Sequence, residues 1–388
     1  MARQPTIRDV AQKCGFSKST VSLVLQDSSE IPDTTKTAVR KAMQALGYRH
    51  NRFARSLRTR RSHVVGMVIQ DHLNPFYAEI VQHAEQLLRR HGYDLVVSSS
   101  NTDLETEVLA IERLFGMQVD GMIVSTMDYA RAEPLLTSMQ TQGTHCVVAG
   151  PAYPGIPFDA ATINDRPAMR AVMEHLFALG HRHIGFIWGA PPFQAIGARF
   201  EVFRQELETA GLSVREEWVK RCGFRLQDGY AAARELLQTP TQNRPTAIFA
   251  LNDLLALSTI RAAHDLKLTV PGDVSVVGAD NVQLATSFCP SLTTIDQPIE
   301  QYATELTNLA ITGIEQKTTP SPAKLRAATR RTSRSRSLAD ESTSPPDSRL
   351  AAAAAAAAIR PPRWTPRRVE LMAGFLVRES TGPAPSAK

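Results

Sequence analysis

The residues best placed to do chemistry are few and lie near the start of the chain: Lys18, Ser19 and Ser22, with Leu23 beside them, inside the run TIRDVAQKCGFSKSTVSLVLQ from Thr6 to Gln26. A lysine and two hydroxyls on the outward side of a short helix offer hydrogen bonds and positive charge. That chemistry suits base edges in a DNA major groove, not the making or breaking of bonds. The chain has no Gly-x-Ser-x-Gly elbow, no P-loop and no dinucleotide glycine fingerprint. Cys14, Cys146, Cys222 and Cys289 are far apart, form no Cys-x-x-Cys pair and read as small buried residues. The histidines at 63, 72, 83, 91, 145, 175, 181, 183 and 264 show no zinc-like spacing with acidic or cysteine partners. The reading is a binding protein, not an enzyme, with no cofactor and no metal.

The elements that must position these side chains follow from capping signals. Thr6 can cap a first helix, with Asp9 completing a Thr-x-x-Asp variant of the capping box, and the helix runs through Val10 and Ala11 to Cys14, where Gly15 ends it. Ser17 can cap a second helix from Lys18 to about Leu25, so Gly15-Phe16-Ser17 has the length and glycine content of a helix-turn-helix connection. Val10, Ala11, Cys14, Val21, Val24 and Leu25 form the inward faces. Two ordinary capped helices would carry the same signature, so the surroundings must decide. A third helix is expected over Asp33 to Leu46, with Val39, Ala42, Met43 and Leu46 at helical spacing and Gly47 as its stop. Beyond it, Tyr48 to Leu57 followed by Arg58, Arg60 and Arg61 is basic and too poor in apolar surface to fold alone.

Charge distribution supports contact with a polyanion. The net charge is +6 over 388 residues, yet residues 1–62 alone hold 13 Lys and Arg against 4 acidic residues. A basic block on an otherwise acidic protein points to phosphate neutralisation at one end. A hydrophobic content of 43% calls for a larger domain with its own core. No apolar run approaches the roughly 20 residues of a membrane span, and no signal-peptide core stands at the N-terminus, so a cytoplasmic location is expected.

From His63 the pattern alternates between apolar strands and amphipathic helices, as in a parallel sheet covered on both faces. Strands are expected at Val64–Ile69, Asp94–Ser98, Gly121–Ser125 and His145–Val148, and again at His183–Trp188, Trp218–Arg221, Ala247–Ala250 and Val274–Gly278. Helices are expected near 76–90, 105–115, 131–140, 167–179, 198–209, 227–237 and 253–264. Two successive doubly wound units imply two lobes with a ligand cleft beyond the carboxyl ends of their strands.

The first 62 residues resemble the headpiece of the lactose repressor/galactose repressor (LacI/GalR) family. The resemblance is carried by Thr-Ile-x-Asp-Val-Ala, Gly-Phe-Ser-x-x-Thr-Val-Ser, the Leu-Gly-Tyr end of the third helix and Ala54-Arg55-Ser56-Leu57. It implies base reading by Lys18, Ser19 and Leu23, phosphate contact by Thr35 and Lys36, and a hinge helix over about 49–62 that pushes Leu57 into the minor groove. It places Thr6, Ser17, Thr20, Ser22, Asn51 and Ala54 in the same DNA-facing set. Leu23 departs from the long polar residue often found there and can offer only apolar contact, for instance to a thymine methyl.

The resemblance continues through residues 63–316, on Asn74-Pro75-Phe76-Tyr77, Leu179-Gly180-His181-Arg182-His183-Ile184, Leu251-Asn252-Asp253, Val270-Pro271-Gly272-Asp273 through Gly278, and Pro290-Ser291-Leu292-Thr293-Thr294. It implies a periplasmic-binding-protein-like effector domain of type I, two-lobed and α/β, behind a small all-α headpiece. Its cleft contacts would be Asn74, Phe76, Tyr77, Arg199, Phe224, Asn252 and Asp280, types that suit a small polyol. Each has a plainer reading: Asn252 or Asp253 as a helix cap, Asp280-Asn281 as a turn pair, Phe76 and Tyr77 as core. Val202 stands where the family usually has glycine, and its bulk is expected to narrow the pocket.

A last helix is expected from about Pro298 to Glu315. Residues 317–367 are rich in Arg, Ser, Pro and Ala, and read as a disordered low-complexity insertion, with frameshift or auxiliary DNA contact as alternatives. The family's final strand reappears over Val369 to Thr381, so the effector and dimerisation domain is taken as 63–316 plus 368–382. The resulting expectation is a ligand-responsive transcriptional repressor, a homodimer on a pseudo-palindromic double-stranded operator. The partners are that DNA and a sugar-like effector, with no membrane.

Overall fold

The computed structural model describes residues 5–25, 27–48, 61–151, 155–189, 194–318 and 365–385. The chain divides into two compact units, Met1–Ser62 and His63–Lys388. The expected hinge residues Asn51, Ala54 and Leu57, and 319–364 of the expected insertion, lie outside the described residues.

In the first unit, α1 (Ile7–Cys14), α2 (Lys18–Leu25) and α3 (Asp33–Leu46) enclose a core of Val10, Val21, Val24, Val39 and Ala42. The Asp9 carboxylate accepts from both the backbone N–H and the hydroxyl of Thr6, each at 2.7 Å, which fixes the entry to α1. Gly15 then reverses the chain at φ +74°, a conformation open to glycine at no steric cost.

The second unit holds two six-stranded sheets. The first has the order β11-β5-β4-β3-β1-β2, all parallel, built from β1 (Val64–Ile69), β2 (Asp94–Ser99), β3 (Gly121–Ser125), β4 (His145–Ala149), β5 (Asp159–Asn164) and β11 (Arg368–Met372). The second has the order β12-β10-β9-β8-β6-β7, built from β6 (Ile184–Gly189), β7 (Val219–Cys222), β8 (Ala247–Ala250), β9 (Ser275–Asp280), β10 (Thr293–Asp296) and β12 (Gly374–Leu376). Here only β12 runs antiparallel to its neighbour. Helices α4 (Pro75–Arg90), α5 (Leu104–Gly116), α6 (Tyr129–Thr141) and α11 (Ile299–Thr318) cover the first sheet. The second is covered by α7 (Arg166–Ala178), α8 (Gln194–Thr209), α9 (Leu226–Leu237) and α10 (Asp253–Asp265).

The chain crosses between lobes three times: at Asp165, between β10 and α11 at Gln297, and at Ala373. The last crossing corrects the single strand expected over Val369 to Thr381. Two short strands join different sheets, and Ala373, between them, donates its N–H to the carbonyl of Asn164 at the first crossing. Residues 378–384 then bind along the second lobe. Buried Ser380 accepts from Thr293 N–H and donates to the Val276 carbonyl. His181, fully buried, places Nε2 3.0 Å from both the Ser275 hydroxyl and the Gly382 carbonyl. At the two ends of the stretch read as an insertion, Lys317 reaches the Thr144 carbonyl and Arg367 bonds the buried carboxylate of Asp159.

Candidate DNA-reading surface and ligand cleft

At the start of α2 the Ser17 hydroxyl accepts from the N–H of Thr20 at 3.1 Å and so caps the helix. Its oxygen also lies 2.7 Å from the Ser19 hydroxyl and 2.9 Å from that of Thr20. Ser17, Lys18 and Ser19 are exposed, while Thr20, Ser22 and Leu23 are half-buried against the three-helix core. On α3, Thr35 is half-buried, and the Lys36 ammonium is tucked in with 12% exposure, 3.3 Å from Asp27. Arg40 joins the same carboxylate at 3.1 Å. Thr6 is engaged with Asp9.

In the second unit, Asn74, Phe76, Tyr77, Arg199, Phe224, Asn252 and Asp280 all line one cavity of about 430 Å³ between the lobes. They come from five places, after β1, β6, β7 and β8 and at the end of β9, that meet because each lies at the carboxyl end of a strand or in the loop or helix that follows it. Asn74 caps α4 by accepting from Phe76 N–H at 3.0 Å, and its side chain also hydrogen-bonds Asp280. Asn252 caps α10 by accepting from Leu255 N–H at 2.9 Å. Capping and cleft placement therefore coexist in both. Phe76 and Tyr77 likewise pack on the first lobe's core while facing the cavity.

Arg199 is the electrostatic centre. Its Nε donates to the Asp165 carboxylate, and its Nη1 donates to the Leu251 carbonyl at 2.7 Å. Burial works against the guanidinium's charge, yet Asp165 and then Asp280 outweigh it and hold its pKa above the ordinary value. Burial pushes the Asp280 carboxyl well above the usual carboxylate range; Arg199 opposes that rise and Asp253 reinforces it. Burial also raises the Tyr77 phenol, against a hydrogen bond with Ser125. The result is a set of preorganised donors and acceptors beside aromatic faces, able to hold hydroxyl groups but without a nucleophile and base in mutual reach.

Asp253, one residue past Asn252, does not line the cavity. It is fully buried and accepts from Thr294 Oγ1 at 2.5 Å and from Val282 N–H at 2.9 Å, bracing the turn that carries Asp280. Val202 is also elsewhere: it is buried in the second lobe's core with Phe203, so its bulk does not narrow the pocket. Sequence reasoning missed Asp165, Gln297 and Glu370, which line the cavity at or near the crossings. For Asp165 a signal existed in Asn164-Asp165-Arg166-Pro167, a polar pair ahead of a helix-opening proline. Among the described residues no group of three or more His, Cys, Asp or Glu could hold a metal ion, and no helix is long and apolar enough to cross a membrane.

A family model described as bacterial regulatory proteins, lacI family, matches residues 6–51, and one described as a periplasmic binding protein-like domain matches residues 173–335. The chain is 33% identical over 314 residues to the HTH-type transcriptional repressor PurR of Edwardsiella ictaluri, covering 80% of this chain and 91% of that one. Among solved structures, the transcriptional regulator CelR in its cellobiose complex has a TM-score of 0.62 at 26% identity, covering 97% of this chain and 99% of CelR. The lac repressor dimer bound to operator and the anti-inducer ONPF shares the fold with a TM-score of 0.74 at 20% identity, covering 98% and 100%.

Proposed function

The chain belongs to the LacI family of bacterial regulatory proteins, and from that premise we propose that it is a cytoplasmic, homodimeric transcriptional repressor whose hold on a pseudo-palindromic operator is set by a small sugar-like effector. The observation that carries this reading is the presence in one chain of an exposed Lys18 and Ser19 on a capped helix and a preorganised polar cleft centred on Arg199 and Asp280. Neither serves the other locally, so their joint presence has a purpose only if occupancy of one changes the use of the other.

In this reading Lys18, Ser19 and Leu23 meet base edges, with Thr6, Ser17, Thr20, Ser22, Thr35 and Lys36 around them on the backbone. Lys36 would have to exchange Asp27 for a phosphate. One headpiece buries little DNA surface, and a two-fold pair reads two half-sites at once. Residues 49–62, with Asn51, Ala54 and Leu57, act as the hinge, and Leu57 wedges at the dyad, where unstacking costs a few kcal/mol that the bend must repay. Effector bound by Asn74, Phe76, Tyr77, Arg199, Phe224, Asn252 and Asp280 biases the two lobes toward one arrangement. The sugar class follows from hydroxyl-seeking Arg199 and Asp280 beside aromatic rings, and from the cellobiose held by CelR.

Selection from random duplex DNA, followed by sequencing of the bound pool, tests the proposal. The expected result is a two-fold symmetric site for the wild type, and for Lys18→Ala a weaker site with altered base preference in each half. Recovery of no enriched site, or of identical sites from both proteins, would count against the assignment.

A further inference from the structure

Adjoining the cleft, and sharing Asp71, Thr102 and Phe224 with it, is a second cavity of about 230 Å³ lined also by Asn101, Arg225, Gln227 and Asp228. It too lies between the lobes. Asp71, Asn101 and Thr102 follow β1 and β2 in the first lobe, and Arg225 to Asp228 open α9 in the second. The main chamber has apolar walls in Met67, Ile69, Ile80 and Ile123, whereas the only large apolar side chain lining the second, among the described residues, is Phe224.

Phe224 stands at the shared boundary, and the backbone around it is shaped to keep it there. A Cβ on Gly189 would lie 2.0 Å from the ring's Cζ, and a Cβ on Gly223 would lie 2.1 Å from the Asp228 carboxylate. Gly189 therefore admits only glycine while the ring stays where it is, and a side chain at Gly223 would have to displace the Asp228 carboxylate. An aromatic ring with polar groups on both sides is a platform for a hydroxylated molecule longer than one ring. The charges add a second constraint. With Asp280 set aside because burial raises its carboxyl, Asp71, Asp165 and Glu370 in the main chamber still outnumber Arg166 and Arg199, and the second chamber adds Asp228 against Arg225. Excess carboxylate disfavours an anionic ligand.

We propose that the second chamber is a subsite for a further hydroxylated ring, so that the effector is an uncharged saccharide of two units laid across Phe224. The inference rests on the cleft being the effector site. Asn101 and Gln227 are both exposed; Gln227→Ala makes little demand on folding, whereas Asn101→Ala adds the cost of an alanine at φ +51°, so the helical Gln227 variant is the cleaner of the two.

The test is titration calorimetry of the wild type, Asn101→Ala and Gln227→Ala with cellobiose, maltose, sucrose, glucose and glucose 6-phosphate, alongside operator binding on selected DNA. At least one disaccharide is expected to bind the wild type at least about tenfold more tightly than glucose. Either substitution is expected to remove most of that advantage while leaving glucose affinity unchanged. Glucose binding as tightly as every disaccharide, substitutions that leave the best disaccharide unaffected, or binding of the phosphate alone would overturn the two-unit subsite. The saccharide or sugar-phosphate reading of the cleft would then survive. If none of the five binds while operator binding persists, both the subsite and the sugar-like effector fall, and the DNA-binding proposal alone remains.

Discussion

The two units of this chain place their functional side chains in opposite ways. The headpiece keeps a small core of Val10, Val21, Val24, Val39 and Ala42 and carries Lys18 and Ser19 outside, where they contribute little to the fold. The two-lobed unit buries its polar centre: Arg199 holds Asp165, Asn74 holds Asp280, and Asn252 caps a helix whose next residue, Asp253, is fully buried. On an exposed surface, recognition and stability separate. In a buried cleft the same atoms serve both, so a change there alters ligand affinity and lobe stability together.

The comparison breaks most visibly if the headpiece loses its core. Val21→Asp puts an unpaired charge among the four other buried side chains of the core, a cost of about 4 kcal/mol or more that a module of this size cannot absorb. Operator binding is expected to vanish in a gel-shift assay while ligand-induced thermal stabilisation of the second unit persists. Loss of both would mean that the two units do not fold independently. Next in size is Arg199→Ala, which leaves Asp165 without its partner and removes the bond to the Leu251 carbonyl. Arg199 is also proposed to donate to the effector, and losing a charged donor from a buried binding site costs about 2–5 kcal/mol, so effector affinity should fall at least about thirtyfold in calorimetry. Operator binding without effector should remain within about twofold. Unchanged effector affinity would remove Arg199 from the site.

The same contrast explains how much of the molecule is legible in its sequence. Capping and periodicity are local, so Asp33–Leu46, Val64–Ile69, Gly121–Ser125 and Ala247–Ala250 stand where the pattern places them. Asp159–Asn164 and Thr293–Asp296 escape because DAATIN and TTID contain one isoleucine each and no apolar run. Their strand state is imposed by the flanking strands they pair with. The break at Ala373 escapes for a related reason, since only the geometry of two sheets can divide a continuous apolar run. The place of the cleft follows from the doubly wound pattern, but its residues are legible through family resemblance alone: nothing in spacing brings Asn74 to Asp280. The polar pair ahead of Pro167 marks Asp165 as a helix start, but its role in the cleft stays hidden because its partner, Arg199, lies 34 residues away.

A subtler way to sharpen the comparison uses pH. His181 is fully buried, its Nε2–H donates to the Gly382 carbonyl, and Nδ1 lies 2.9 Å from the Thr246 hydroxyl. Burial lowers its pKa below the ordinary imidazole value. The hydrogen bond to Gly382 opposes that shift, and the charges of His175 and Arg182 add to it. A depressed histidine stabilises the fold above its unfolded pKa of about 6.5, and that contribution is lost as pH falls through the folded value. Thermal melts should therefore show the wild type losing its advantage over His181→Gln between about pH 7 and pH 5. The loss should be confined to the second unit's transition. An advantage that stays constant across that range would show that the neutral ring is not what the fold requires.

The smallest effect expected is at the cap of the reading helix, and it separates stability from recognition within a single turn. Ser17→Ala removes the acceptor for Thr20 N–H and the oxygen that gathers the Ser19 and Thr20 hydroxyls, at a cost of about 1 kcal/mol to the headpiece. Ser17→Asp keeps an acceptor at the same position and should restore that stability, but it sets a carboxylate at a surface proposed to face phosphates. The two variants should therefore diverge: alanine lowers the headpiece melting temperature by a few degrees, whereas aspartate restores the melt and weakens operator binding more at low salt than at high. Equal operator affinity for both at low salt would place the DNA elsewhere than against the start of α2.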